Sequence, residues 1–179
     1  VTEENSLQVD VFYSVRSPYS YLALYRLAYL HSNYNVDVNI KVIFPIAVRT
    51  RTKSGKAGSG RWYYYGYSVI DMPRTGEYEG ITFRYANPDP ILQDIRPQEE
   101  CTMAVAPMEK QPYISWIVRL AAAAQLEGKT LEYVLAVSPL IWGAGCPLGE
   151  WPLRVPDAVN SIGLDYDAVI KDIQTTPEN

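Results

Sequence analysis

The stretch that most narrows the fold is residues 7–44. "LQVDVFYS" (Leu7–Ser14) alternates and is rich in β-forming residues, so it predicts a first strand. The chain then meets "SPY". Pro18 suits the first position of a helix, where its missing N–H costs nothing. From there Tyr19, Leu22, Ala23, Leu27 and Leu30 recur at helical spacing, and Asn33 and Asn35 suit an exit turn. "VDVNIKVIF" supplies a second strand, with Val36, Val38, Ile40 and Val42 on one face and Ile43 and Phe44 at its end. Strand, helix and strand in so short a span form a βαβ unit, which predicts parallel strands joined by a right-handed crossover.

Composition sets the outer bounds. The chain has 179 residues, 47% hydrophobic and 20% charged, which is enough for one domain with a real core and an inserted subdomain. A net charge of −4 argues against a general nucleic-acid binder, which needs a basic surface. No run approaches the about 18 apolar residues that span a bilayer. "VTEENSLQ" lacks the basic and apolar regions of a signal peptide, so cytoplasm is the default expectation. Cys101 and Cys146 lie far apart and form no C-x-x-C pair; they read as inert or structural thiols, with a disulfide the alternative. With His31 as the only histidine, neither a zinc site nor a serine–histidine hydrolase has much to draw on. His31 also falls at the expected helix end, where a capping role is the commoner one. Tyrosine stands out, with 15 against 3 phenylalanines. Tyrosines either close core edges through ring and hydroxyl or line a pocket for flat ligands.

Beyond Pro45 the texture changes. "VRTRTKSGKAGSGR" (Val48–Arg61) holds five cations and three glycines without periodicity, so it reads as a mobile basic loop. It lacks the order of a phosphate-binding loop, but it could act as a basic lip that attracts an anionic ligand. "RWYYYGYSVIDMPR" brings aromatics, Asp71 and Arg74; "YEGITFRYANPDPI" is extended, with Pro88 and Pro90 setting its direction. Residues 101–110 give no clear pattern. Pro112 opens a helix with Ile114, Ile117, Val118, Ala121 and Ala124 on one face, and Gly128 stops it. Thr130 can cap the next helix, which Pro139 bends or breaks. "WGAGCPLGEWP" reads as a loop. A short helix then opens at Pro156 or Asp157 and closes at Gly163, and Asp165 caps a last one.

The strand-to-helix junction carries the chemistry. The first backbone N–H groups of a helix are free and its dipole adds partial positive charge, so the junction favours an anion. A cysteine there would be held as a thiolate. Ser17 can do no disulfide chemistry, but its hydroxyl can donate a hydrogen bond to a thiolate brought in by a ligand. Lowering a thiol pKa by about two units needs about 2.7 kcal/mol. A hydrogen bond to a charged group offers roughly 1.5–3 kcal/mol, and a helix N-terminus up to about 2. Taken alone, "SPY" favours the simpler reading that Ser17 only caps the helix.

Longer stretches add to the reading. "FYSVRSPYSYLAL", "VIFPIAVR", "YYYGYSVIDMPRTGEYEGITFRYANPDPI", "QPYISWIVRLAAAAQLEGKTLEYVLAVSPLIWG" and "GLDYDAVI" occur in that order between Val9 and Ile173. Together they resemble 2-hydroxychromene-2-carboxylate isomerases and kappa-class glutathione transferases, of the DsbA-like branch of the thioredoxin superfamily. The resemblance implies a thioredoxin-like α/β core, begun by residues 7–46, with a helical insertion in 47–179. It implies that Ser17 holds the glutathione sulfur as a thiolate, with Pro18 and Tyr19 completing the motif and Ser20 at the second cysteine position of redox relatives. Pro45 would lead into the substrate cleft. Lys53, Lys56 and Arg61 are binding candidates in the basic loop. Trp62, Tyr63 and Tyr64 serve either as pocket walls or as core. Asp71, Arg74, Tyr78, Gly80 and Phe83 fall in family-like register, with Asp71 and Arg74 expected as a structural ion pair.

The implied cofactor is glutathione, the implied substrate a small aromatic or electrophilic compound, and the implied assembly a homodimer without nucleic-acid or membrane partners. The family pattern continues into a cis-proline loop, further strands and a last helix that hold the γ-glutamyl end of glutathione. That motif is not found before Asn179, so the core is expected to be completed elsewhere. The leading expectation is a glutathione-dependent isomerase, the alternatives a kappa-like transferase or a non-catalytic thioredoxin-like binding module. Thiol–disulfide exchange is poorly supported without a C-x-x-C pair.

Overall fold

A computed structural model of the chain describes residues 6–49, 59–97, 103–107 and 110–175. The expected βαβ unit is present: β1 (Leu7–Tyr13), α1 (Pro18–Asn33) and β2 (Val36–Val42). The two strands pair in parallel from Leu7 opposite Val36 to Tyr13 opposite Val42. Val38 and Ile40 of β2 are buried, as alternation requires. The buried face of α1 is wider than expected. Tyr21, Leu22 and Leu24 are buried while Ala23 is exposed, and Tyr19, Leu27 and Leu30 pack against the core edge. The helix is covered from more than one side, by α3 (Ser59–Glu79) and α5 (Thr130–Trp142) as well as by β2.

Between them lies α2 (Ile46–Arg49), so the expected basic loop is partly helical: Val48 and Arg49 close α2, and Ser59, Gly60 and Arg61 open α3. The stripe by which α3 packs was hard to read because it is not hydrophobic. Ser68, Met72 and Gly76 stand four residues apart; Ser68 and Gly76 are buried and Met72 packs on the core. Pro73 sits inside this helix and withholds a donor from the Val69 carbonyl, and the Tyr85 hydroxyl donates to that carbonyl instead. After an extended stretch, β3 (Gln93–Pro97) and β4 (Met103–Pro107) pair antiparallel, a hairpin arm that the sequence pattern did not announce. Cys101 lies outside the described residues.

The helices α4 (Pro112–Leu126), α5, α6 (Trp151–Ser161) and α7 (Tyr166–Thr175) complete the chain. All five residues expected on the apolar face of α4 are buried, and Gly128 adopts φ +67° to end the helix where a side chain would be strained. Thr130 is buried at the start of α5 and makes no capping bond; Lys129 holds the cap position. Pro139 does not break α5, which runs to Trp142. Nor does α6 wait for Pro156: it opens at Trp151, with a proline in its first turn and Pro156 inside. At the start of α7, Asp165 accepts the Ala168 N–H at 3.1 Å, as expected of a cap.

One core runs through both halves of the chain. It joins Tyr13, Leu22, Leu24, Val38 and Ile40 to Ile117, Tyr133, Val137, Ile141 and Trp151. Helix α5 is its axis, lying against α1, β2, α4 and α6. Its C-terminal end is closed by Arg84, whose backbone N–H donates to Trp142 O at 2.7 Å and whose guanidinium donates to Cys146 O. A cation at that end suits the helix dipole. Next to it Gly143 is required by close approach, since a Cβ there would stand 2.5 Å from the Tyr21 hydroxyl and 2.9 Å from Pro139 O.

Buried phenols give the fold a pH limit. Tyr13 donates to or accepts from Ser138 Oγ at 2.9 Å, and Tyr133 donates to Ile117 O at 2.8 Å. Burial pushes both phenols above the ordinary tyrosine value. Their neutral forms therefore contribute stability that is fully present below the unfolded value near pH ~10 and lost as pH rises past it. In an alkaline titration their phenolate absorbance is expected only together with loss of the helical circular dichroism.

Candidate functional site

β1 ends at Tyr13, and the chain reverses through a turn in which the Ser17 N–H donates to Ser14 O at 2.9 Å. Val15 is buried in that turn and its carbonyl accepts from Trp142 Nε1 at 2.8 Å. With the Tyr13–Ser138 bond one turn away, two contacts from α5 hold the junction from beneath. Ser17 then takes extended backbone angles (φ −88°, ψ 116°) and caps α1, with Pro18 in the first turn.

The Ser17 Oγ accepts the Ser20 N–H at 3.3 Å. Among the described residues its own proton has no acceptor, and the residue is half-buried at the surface. The first turn of α1, a helix of sixteen residues, contains no acidic residue. A hydroxyl with a free proton at such a helix start fits a thiolate, so the donor set suits the sulfur of glutathione. Capping and ligand binding are compatible here, since capping uses a lone pair and binding uses the proton.

Two further contacts frame the junction. The Tyr19 hydroxyl donates to Asp71 Oδ2 at 2.7 Å, and the Tyr67 hydroxyl donates to Asp71 Oδ1 at 2.9 Å. This corrects the expected Asp71–Arg74 ion pair: Asp71 serves two phenols across α1 and α3, and exposed Arg74 forms no ion pair among the described residues. Spacing on one helix put the two charges near each other, but Asp71 turns toward α1. The hydrogen bond to Asp71, and its charge, push the Tyr67 phenol above its usual range. On the other side Arg16 grips Asp89, Nε to Oδ1 at 3.2 Å and Nη2 to Oδ2 at 2.9 Å.

Of the predicted site residues, Ser17, Pro18, Tyr19 and Ser20 stand together at the helix start, all half-buried. Pro45 is buried just after β2. Lys53 and Lys56 lie outside the described residues. Arg61, Trp62, Tyr63 and Tyr64 belong to the first turns of α3, and their side chains lie outside what is described. Asp89 and Trp142 were missed. Asp89 hides in "NPDP", read only for its prolines, and Trp142 looked like one more apolar residue at a helix end. The free thiol of Cys146 lines an open cavity of about 410 Å³ with Leu140, Pro147, Arg154 and Asp157, which includes none of the predicted site residues.

A two-stranded parallel βαβ start, a helical remainder packed on it and a polar residue capping the first helix define a thioredoxin-like protein of the DsbA type. Residues 8–177 match the DSBA-like thioredoxin domain, and the chain belongs to that family. A solved structure of 2-hydroxychromene-2-carboxylate isomerase (HCCA isomerase) is similar in fold, with a TM-score of 0.60 and 20% identity over 95% of this chain and 72% of that one. No curated protein sequence matches the chain. Among the described residues no helix is long and apolar enough to cross a membrane.

Two variants test the junction. Trp142→Phe leaves the buried Val15 carbonyl without its donor and is expected to cost about 1–3 kcal/mol in urea unfolding. Asp71→Asn removes the charge beside Tyr67, and the Tyr67 phenol is expected to titrate at lower pH, followed by NMR of ring-labelled tyrosine.

Proposed function

We propose that the chain is a glutathione-dependent enzyme of the isomerase type, acting on an unsaturated aromatic acid. The observation that carries this reading is the Ser17 hydroxyl, capping α1 through its lone pair while its proton has no acceptor among the described residues, at the position where a DsbA-type redox protein needs a cysteine. Bound glutathione would supply a thiol that, as the thiolate, adds to the substrate and leaves after a bond has rotated. The work of the chain is to favour the charged sulfur. Ser17 Oγ–H donates to it, and the helix start adds positive potential at little reorganisation cost, because the turn is already held by α5. The half-buried setting excludes part of the water and strengthens both effects. Pro18 keeps the helix start rigid, and the Tyr19–Asp71 bond fixes the first turn against α3. Lys53, Lys56 and Arg61 are proposed to draw in the carboxylates of substrate or glutathione.

The fold likeness to HCCA isomerase supports an enzyme of the isomerase or kappa-transferase group. Product analysis separates the two, since isomerisation returns free glutathione and a kappa-like transfer consumes it. The decisive comparison uses two substitutions at one position. Ser17→Ala removes both cap and donor, costing about 1 kcal/mol of stability, whereas Ser17→Gly costs only a few tenths. Both are expected to abolish the ultraviolet thiolate absorbance of bound glutathione near neutral pH. If Ser17→Gly keeps that absorbance, the hydroxyl is only a cap and the reading fails.

A further inference from the structure

Arg16 immediately precedes Ser17 in the chain, so its backbone adjoins the proposed anion site and its long, flexible side chain has the reach to serve it. It holds the Asp89 carboxylate through two parallel hydrogen bonds, the geometry in which a guanidinium takes any carboxylate. The pair is open to water: the side chains are 32% and 40% exposed. Water that reaches the pair also lets a ligand carboxylate compete for it. The 87–92 segment has anchors of its own. Trp151 Nε1 donates to Pro88 O at 2.9 Å, and the buried Gln111 amide brackets Leu92, donating to its carbonyl at 2.7 Å and accepting its N–H at 2.9 Å. Asp89 also has a second occupation, since its Oδ1 accepts the Ile91 N–H at 2.9 Å. A ligand carboxylate that took the fork would leave Asp89 its bond to the Ile91 N–H and the segment its other anchors.

We propose that Asp89 is an internal competitor: it occupies the Arg16 fork at the mouth of the Ser17 site, so a ligand carboxylate reaches Arg16 only by displacing it. The pair is thus a selectivity filter. With Asp89 in place the mouth carries no free charge from Arg16, and carboxylate-bearing ligands gain little over neutral ones. A ligand that does displace Asp89 leaves it with Ile91 N–H and water, so the exchange is cheap and reversible. This deepens the thiolate-site reading, on which it rests for the place of the ligand, but it can be tested without glutathione.

The test uses benzoate and its neutral counterpart benzamide as probes, with binding followed by NMR shifts of the Arg16 and Ser17 amides at low salt. Asp89→Asn keeps an oxygen for Ile91 N–H and frees the fork. Benzoate is expected to bind this variant on the order of threefold more tightly than the parent, with the gain lost near roughly 0.5 M salt. Benzamide is expected to bind both alike, and the double variant Arg16→Gln/Asp89→Asn to lose the benzoate gain. Equal benzoate affinity in parent and Asp89→Asn overturns the proposal, as does an equal gain for benzamide, which would mean the mouth had merely loosened. Should Asp89→Asn fail to fold, Asp89→Ser, which still offers an oxygen to Ile91 N–H, takes its place with the same expectations. A benzoate gain in a protein that binds no glutathione upholds the filter and sinks only the thiolate reading.

Discussion

The junction between β1 and α1 depends on α5. Two hydrogen bonds from that helix, Trp142 to the Val15 carbonyl and Ser138 with the Tyr13 hydroxyl, reach the turn from the buried side. Each contributes about 1 kcal/mol net, but losing one partner strands a buried polar group, which costs more. The bonds therefore act less as glue than as a condition: the turn is satisfied only in one position relative to α5. Everything that gives Ser17 its environment follows from that position, including the start of α1, the direction of Arg16 and the reach of Tyr19 to α3.

The same arrangement explains how one serine can serve both fold and chemistry. Its lone pair closes the first turn of α1 at Ser20, and its proton has no acceptor among the described residues. A cysteine would cap less well and bring its own redox chemistry. On the proposed function, a serine separates the two tasks, leaving the nucleophile to a ligand. Charge around it is balanced rather than concentrated. Asp71 lies behind two phenols, Asp89 sits in the fork of Arg16, and the first turn of α1 is free of acids. An anion at the helix start then meets dipoles and a hydroxyl, whose orientation the fold sets, in preference to mobile surface charges.

Much of the frame was legible in the sequence. Alternation in "LQVDVFYS" and "VDVNIKV" gave both strands and the buried face of the second, and the βαβ order gave their parallel pairing. The α4 stripe was read residue for residue because it is apolar and regular. The failures share a physical cause. Helix α3 packs through Ser68, Met72 and Gly76, a stripe of small size more than of hydrophobicity, so a search for apolar periodicity passes over it. Pro139 was expected to bend or break its helix and Pro156 to open one, yet each lies inside a helix, as does Pro73. A missing N–H frees one carbonyl, and at Pro73 a tyrosine from another segment answers it.

By itself the sequence determined the βαβ start, the serine at the mouth of the first helix and the apolar faces that would find each other, because these depend on neighbours a few residues apart. Tertiary structure alone decided which partners the polar groups took. Asp71 passed over Arg74, three positions away on the same helix, for phenols on two helices, and Arg16 met Asp89 from far along the chain. Hydrogen bonds are short and directional, so their pairing is settled by where elements pack and not by what the residues are.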